Sequence, residues 1–431
     1  MFLASKKMAP GRVIALGFAA VILTGAMLLL LPVAQNPGVE VSVVDALFTS
    51  TSAVCVTGLI AVDTADTFSV FGRAVVALLI QIGGLGVTSI GVGFIILSGK
   101  KINMRGRTLV KEGLNYGTFR GVLALVKSVV LVTLTFETLG MLLSLIVFAR
   151  DYPFWQALGI SAFHSVAAFN NAGFDILGGL RNLIPYQSNV LLNLTTCGLI
   201  IFGGLGFFVI REIVHKRSFR KFSLHTKIVL MMTVVLLVGG TLVLRATENI
   251  TWLGAFLTST SARTAGFSTF AIGSFSTAGL LALMLLMFIG ASPGSTGGGI
   301  KTTTFFVLVK SLYASSTNKH CSAFHRQIPR DVVTKAFTIL VLAFSVVFSS
   351  TFLLSVFEPH TDFVKLLFET VSAFGTVGLS TGITPDLEPM SKIVIVLTMF
   401  IGRIGPLTVA SLWSCRPDPG VSFAEEAVTI G

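Results

Sequence analysis

Long apolar runs separated by short polar stretches dominate this chain, and they come in pairs. The runs are Val13–Val33, Ala74–Leu97, Val129–Phe148, Val190–Ile210, Ile228–Leu244, Gly279–Gly290 with Ile300–Val309, Ala336–Phe357 and Ile393–Trp413. About 20 apolar residues in a helix cover the roughly 30 Å of bilayer hydrocarbon. The pattern therefore predicts eight spanning helices, two in each of four repeats. Between the two spans of each pair lies a segment too short and too polar to cross, such as Asp45–Ala53 or Thr251–Ala262. These segments lead into SAVCVTGL (Ser52–Leu59), AFNNAGF (Ala168–Phe174), SARTAGF (Ser261–Phe267) and SAFGTVGL (Ser372–Leu379). Their glycines, Gly58, Gly173, Gly266 and Gly378, stand 115, 93 and 112 residues apart. A second glycine cluster follows each: IGGLG from Ile82, FGGLG from Phe202, IGASPGSTGGG from Ile289 and IGRIGP from Ile401. The intervals from the first glycine to the cluster are 25, 30, 24 and 24 residues. Such a repeat in apolar sequence points to fourfold pseudo-symmetry about an axis, and axes in membrane proteins commonly carry a pore.

Composition agrees with an integral membrane protein: 53% of the 431 residues are hydrophobic, 12% are charged, and mean hydropathy is +0.88. Lys6 and Lys7 ahead of the first run imitate a signal peptide, but that run is too long for one and completes the first repeat. The net charge of +12 invites a nucleic-acid reading, and its distribution argues against one. Of 31 Lys and Arg, 23 fall in the N-terminus, the connections 100–127, 211–227 and 301–335, and at Arg416. The opposite connections carry Glu40, Asp45, Asp63, Asp66, Asp151, Asp175, Glu248, Glu358, Asp362, Asp386 and Glu388. This asymmetry predicts both termini in the cytoplasm and the four polar segments entering from outside. Four scattered cysteines imply neither a metal site nor a disulfide framework.

Non-helical backbone at membrane depth is tolerated only where protein buries it or where it lines a wet cavity. A half-helix that enters and returns as extended chain points its negative end inward and turns carbonyls toward the axis. Four such sets of carbonyls can replace the water around a cation. The rival reading, glycines that only let helices pack closely, suits any one of them but not four in register.

These motifs, with GASPGSTGGGIKTTT (Gly290–Thr304) and FIGRIGPLT (Phe400–Thr408), resemble the Trk/Ktr/HKT superfamily of potassium transporters over essentially the whole chain, most nearly the membrane subunit of bacterial Ktr systems. The resemblance implies an all-α membrane protein of four helix–pore helix–helix repeats around a central pore. The repeats would be 1–99, 100–217, 218–325 and 326–431 with the C-terminal tail. It implies a potassium filter at Val54, Cys55, Val56, Thr57 and Gly58; Phe169, Asn170, Asn171, Ala172 and Gly173; Ala262, Arg263, Thr264, Ala265 and Gly266; and Phe374, Gly375, Thr376, Val377 and Gly378. Plant relatives with serine at the first filter glycine resemble sodium transporters, so Gly58 favours K+. The third motif has one residue fewer between its Ser-Ala pair and its glycine than the first.

The sixth span is interrupted by Ala291, Ser292, Pro293, Gly294, Ser295, Thr296, Gly297, Gly298 and Gly299, a run unfit for continuous helix. By resemblance this is an intramembrane gate loop, with Lys301 and Arg403 as gate cations. Lys301 alternatively snorkels to the interface, and Arg403 alternatively makes a structural ion pair. A nucleotide-binding loop is excluded because Ile300 separates Gly299 from Lys301. Glu369 stands on the fourth pore helix, where it would hold the filter from behind and pair with Arg263, or else face outside water. Glu137 in the third span reads as a hydrogen-bonder or as a cation ligand. The resemblance further implies a homodimer in the bacterial cell membrane, gated by a cytosolic nucleotide-binding ring of the KtrA type. The expected cargo is K+, with Na+ as a second cation, and no covalent chemistry is expected. A sodium-coupled secondary carrier, a sodium-permeable member of the superfamily, and a scaffold with a degenerate pore are the alternatives.

Overall fold

The computed structural model describes residues 10–87 and 122–411. Helix α1 (Pro10–Leu29) is followed by a half-length helix α2 (Val43–Val54), a single turn α3 (Thr64–Thr67) and α4 (Val70–Leu85). A similar order recurs as α5 (Val122–Phe148), α6 (Phe154–Phe169), and α7 (Val190–Leu205) with α8 (Phe207–Lys216). It recurs again as α9 (Leu224–Thr247), α10 (Trp252–Ala262), and α11 (Thr277–Phe288) with α12 (Thr302–Ser316). The last occurrence is α13 (Arg330–Phe357), α14 (Phe363–Gly375), and α15 (Pro389–Ile404) with α16 (Pro406–Ser411). A two-stranded hairpin, Ser322–Ala323 against Arg326–Gln327, lies between α12 and α13.

Three of the four half-length helices start at polar caps, whereas α6 follows Pro153 and has none. Ser42 accepts from Asp45 N at 3.0 Å, Thr251 from Gly254 N at 3.1 Å and Asp362 from Val364 N at 3.2 Å. Each such cap replaces water at an orphan N–H and stabilises a helix by about 0.5–2 kcal/mol. All four half-length helices end in buried residues: Val54, Phe169, Ala262, and Phe374 with Gly375. The long first helices turn apolar faces outward instead, as α13 does with Phe344, Phe348 and Phe352. Such a face suits contact with lipid, where no hydrophobic penalty applies.

Among the described residues four helices are long and apolar enough to cross a membrane: Gly11–Leu29, Ser128–Phe148, Leu224–Thr247 and Arg330–Phe357. These are the first helices of each set. The second helices differ from the sequence expectation. The runs Ala74–Leu97, Val190–Ile210 and Ile393–Trp413 do not continue as single helices, because α4, α7 and α15 stop at Leu85, Leu205 and Ile404. Gly86, Gly206 and Gly405 follow, with φ of +81°, +92° and +95°, angles that favour glycine. The axis turns by 95° between α7 and α8. An interruption is therefore common to all four second helices, and the third differs in the length of its insert. Positions 88–97 and 412–413 of those runs lie outside the described residues.

Contacts also join one set to the next. Asp63 and Asp66 accept from Leu180 N (2.6 Å) and Gly179 N (2.9 Å), and Asn182 accepts from Ser268 N (3.2 Å). Lys392 on α15 pairs with Asp45 on α2 at 2.8 Å, bringing the last set back to the first.

Candidate functional site

The four motif glycines are neighbours in a closed cycle. A Cβ added to Gly58 would meet Ala172 and Gly173; one on Gly173, Ala265 and Gly266; one on Gly266, Val377 and Gly378; and one on Gly378, Thr57 and Gly58. All four have positive φ, from +67° to +91°. The backbones approach too closely for any side chain at these corners. The next residue in each motif is an anchor that packs away from the cycle: Leu59, Phe174 and Phe267 are wholly buried, and Leu379 nearly so.

Beneath the cycle, the second glycine clusters acquire a physical role. Gly83, Gly203 and Gly402 lie against the carbonyls of Val54, Phe169 and Phe374 at the ends of α2, α6 and α14, with no room for a Cβ. Each is three residues before the glycine that breaks its helix. Serines tie the half-helices outward: Ser50 Oγ donates to Ile22 O (2.6 Å), Ser165 to Glu137 O (2.6 Å) and Ser259 to Leu237 O (3.0 Å). Sequence reasoning missed these serines, although they stand eight, eight and seven residues before their glycines.

The third corner is built differently. In the other three, Val56, Asn171 and Thr376 take positive φ two residues before the glycine. There the N–H of Thr57, Ala172 and Val377 reaches back five residues, to Ser52 O, Ala167 O and Ser372 O. In the third, Ala265 N bonds Ser261 O, only four residues back, and no non-glycine residue takes positive φ. One missing residue removes one left-handed step. Ser52 and Ser372 also accept from Gly58 N (3.0 Å) and Gly378 N (3.1 Å), fixing those two corners.

The 291–299 insert folds under the cycle. Its neck is closed by Gly290 N to Ile300 O (2.9 Å) and Thr302 N to Ala291 O (3.3 Å). Ser292 N and Thr296 N donate to Gly204 O and Gly203 O, and Phe207 N donates to Gly294 O. Gly298 N donates to Thr376 Oγ1 at 2.9 Å, and Thr296 Oγ1 reaches Phe169 O at 3.4 Å. Lys301 Nζ donates to Gly297 O (2.6 Å) and Gly298 O (3.3 Å), so it turns back on the loop rather than snorkelling away. Arg403 donates to Thr296 O and to the carbonyls of Gly83 and Gly84 on α4. Its partners are carbonyls and not a carboxylate, which replaces the structural ion pair weighed from the sequence.

Glu369 does not pair with Arg263. It is wholly buried and accepts from Ser380 Oγ (2.7 Å), Thr381 N (2.8 Å), Thr381 Oγ1 (3.1 Å) and Thr384 Oγ1 (2.8 Å), bracing the chain that leaves Gly378. Arg263 is buried at the C-terminal end of α10, and its Nε has no partner. Glu137 accepts from Asn170 Nδ2 at 3.0 Å, which realises the hydrogen-bonder of the two readings. Asp175, two residues past Gly173, is nearly buried and accepts from Leu177 N at 3.0 Å. Burial pushes its carboxyl up to about 6; the Leu177 bond opposes this, the charges of Asp63 and Asp66 add to it, and Arg181 opposes it.

The profile of the TrkH family, described as cation transport protein, matches residues 16–252 and 222–419. The chain belongs to this family. It is 39% identical over 436 residues to Ktr system potassium uptake protein B of Bacillus subtilis, covering 98% of this chain and 97% of that one. It is 37% identical over 444 residues to the potassium/sodium uptake protein NtpJ of Enterococcus hirae, covering 99% and 98%. The crystal structure of the potassium transporter TrkH from Vibrio parahaemolyticus superposes with a TM-score of 0.74 at 18% identity, covering 96% of this chain and 86% of that one, a likeness of fold. A KtrB-like membrane protein of the Trk/Ktr superfamily is thereby established, with the names of its relatives joining it to potassium uptake.

Proposed function

We propose that this chain is a potassium-conducting membrane subunit whose filter is the cycle of Gly58, Gly173, Gly266 and Gly378. The observation that carries the reading is the cyclic backbone contact among these glycines, each against the next. In this reading the four sets are pseudo-symmetric repeats of two spanning helices and a pore helix, at the boundaries given above, with the filter carbonyls replacing the hydration shell of K+. No covalent chemistry takes part. The insert Ala291–Gly299 lies across the path below the filter as a gate, and its bonds to Thr376 and Gly203 support that role. Lys301 and Arg403 place two cations on this loop, where they oppose a passing cation until the loop moves.

The basic connections face the cytoplasm, with both termini, and dock a nucleotide-binding ring; two subunits form a homodimer with one pore each. A second reading, permeation of Na+ beside K+, is favoured by the likeness to a relative named for potassium/sodium uptake. Rubidium uptake in a bacterium lacking its own potassium uptake, with and without Na+ and with and without a co-expressed ring subunit, tests both. Uptake that needs no Na+ and rises with the ring is expected. Absence of uptake despite normal membrane abundance and ring co-expression would overturn the proposal, and strict dependence on Na+ would replace it with a sodium-coupled carrier.

A further inference from the structure

Glu137 is a carboxylate inside the apolar span α5, where ionisable groups are costly and rare. Its neighbours are specific. Asn170, wholly buried at the end of pore helix α6, directs one amide nitrogen at three acceptors: Gln81 Oε1 on α4 at 3.0 Å, Glu137 Oε1 at 3.0 Å and Val166 O at 2.9 Å. The other end of the amide, Oδ1, is buried without a partner. Gly84 packs directly on this side chain, leaving no space for a Cβ. Turning the amide over would press an oxygen against the carboxylate, Gln81 Oε1 and Val166 O together. The three acceptors therefore hold Asn170 in one orientation.

Asn170 belongs to the backbone that forms the second corner. The residue before it, Phe169, supplies the carbonyl against which Gly203 packs, and the residue after it, Asn171, takes the left-handed step at φ +60°. The residues three before the glycine in the other corners are Cys55, Arg263 and Gly375, so an amide held by a carboxylate is peculiar to this corner. Gln81 sits two and three residues before Gly83 and Gly84, whose carbonyls receive Arg403, so α4 joins the lock on Asn170 to the clamp on the 291–299 loop.

We infer that Glu137, with Gln81, is a positioning residue for ion discrimination: it holds the Asn170 amide and thereby the carbonyl geometry of the second filter corner. The inference rests on the filter reading above. The test measures inhibition of Rb+ uptake by Na+ relative to K+, at matched membrane abundance, in Glu137→Gln, Glu137→Leu and Gly173→Ser. Glutamine keeps an acceptor oxygen for Asn170, so its ratio should stay within about twofold of the parent. Leucine takes away one of the three acceptors around the two N–H groups of this amide, which can then shift toward Gln81 and Val166, and the preference for K+ should fall about tenfold. A role confined to stability would lower abundance in the leucine variant and leave the ratio where it was. An unchanged ratio in Glu137→Leu beside a shifted one in Gly173→Ser overturns the positioning role alone. Unchanged ratios in both overturn the filter reading and this inference with it. Should Glu137→Leu fail to reach the membrane, Gln81→Leu removes a second acceptor from the same amide; a ratio equal to that of the parent then rejects the inference, and a shift toward Na+ supports it.

Discussion

Replacing Gly58 with serine probes the filter at one corner. At φ +91° a residue with a Cβ is strained by about 1–3 kcal/mol. The new Cβ would also stand 3.0 Å from the carbonyl carbon of Ala172 and 3.0 Å from Gly173 Cα, and closer still to the Ala172 oxygen. Carbon atoms in ordinary contact are about 3.5–4.0 Å apart, so the first and second corners must part by about 0.5–1 Å. The strand cannot simply retreat, because Ser52 holds Gly58 N from behind and Leu59 is packed without exposure. In the proposed filter the displacement therefore falls on the carbonyls assigned to the ion. If about 1.4 kcal/mol of the strain is expressed in the K+-bound geometry, preference for K+ over Na+ drops about tenfold. Competition of Na+ against Rb+ uptake measures this, with membrane abundance as the check on folding. Gly38→Ser is the matched control: its φ is +82°, but nothing lies within 4 Å of its Cβ position, so it should suffer the backbone strain without a change in selectivity. A Gly58→Ser protein that is present at normal levels and discriminates as the parent does would refute the assignment of Gly58 to the filter.

If the proposed gate is right, Arg403→Ala should raise Rb+ flux, because it removes both a cation from the proposed path and the donor that ties Thr296 to Gly83, whereas Arg403→Lys should retain part of the restriction with fewer donors; a folded alanine variant with parental flux counts against a gating role. Uptake should also depend on external pH through Asp175. Its raised carboxyl is charged above about 6 and neutral below, so the attraction for a cation near Gly173 weakens as pH falls through that range. One charge at about 10 Å contributes about 0.4 kcal/mol in water and about 1.7 kcal/mol at an effective dielectric of 20, so the half-saturating concentration should rise roughly two- to twentyfold. Asp175→Asn should show the weaker affinity at every pH and lose the slope between pH 5 and 7 (roughly one unit either side of the midpoint); a slope that persists in the variant assigns it elsewhere.

Much of this was legible in the order of residues. Apolar runs near 20 residues set the long first helices, because helix rise and bilayer thickness leave little choice. Polar segments ending in glycine between them placed the half-helices, since unpaired backbone cannot face lipid. The recurrence of glycines at similar intervals marked four segments that the structure brings into one cycle, and the one residue missing from the third motif appeared as one missing left-handed step.

What spacing could not convey was which atoms meet across the chain. The second helices read as continuous because apolar composition does not distinguish a helix from two helices joined at glycine. The breaks at Gly86, Gly206 and Gly405 lie three residues past Gly83, Gly203 and Gly402, which pack against the ends of the half-helices. Glu369 and Arg263 looked complementary as charges, yet Glu369 is satisfied by Ser380, Thr381 and Thr384, the chain immediately beyond its own corner. Glu137 gains a specific partner only through Asn170, 33 positions away, at 3.0 Å. Periodicity fixes helices because their bonds are local. The partners of a buried charge are chosen by tertiary contact, since any of several distant donors can compensate for the water it loses.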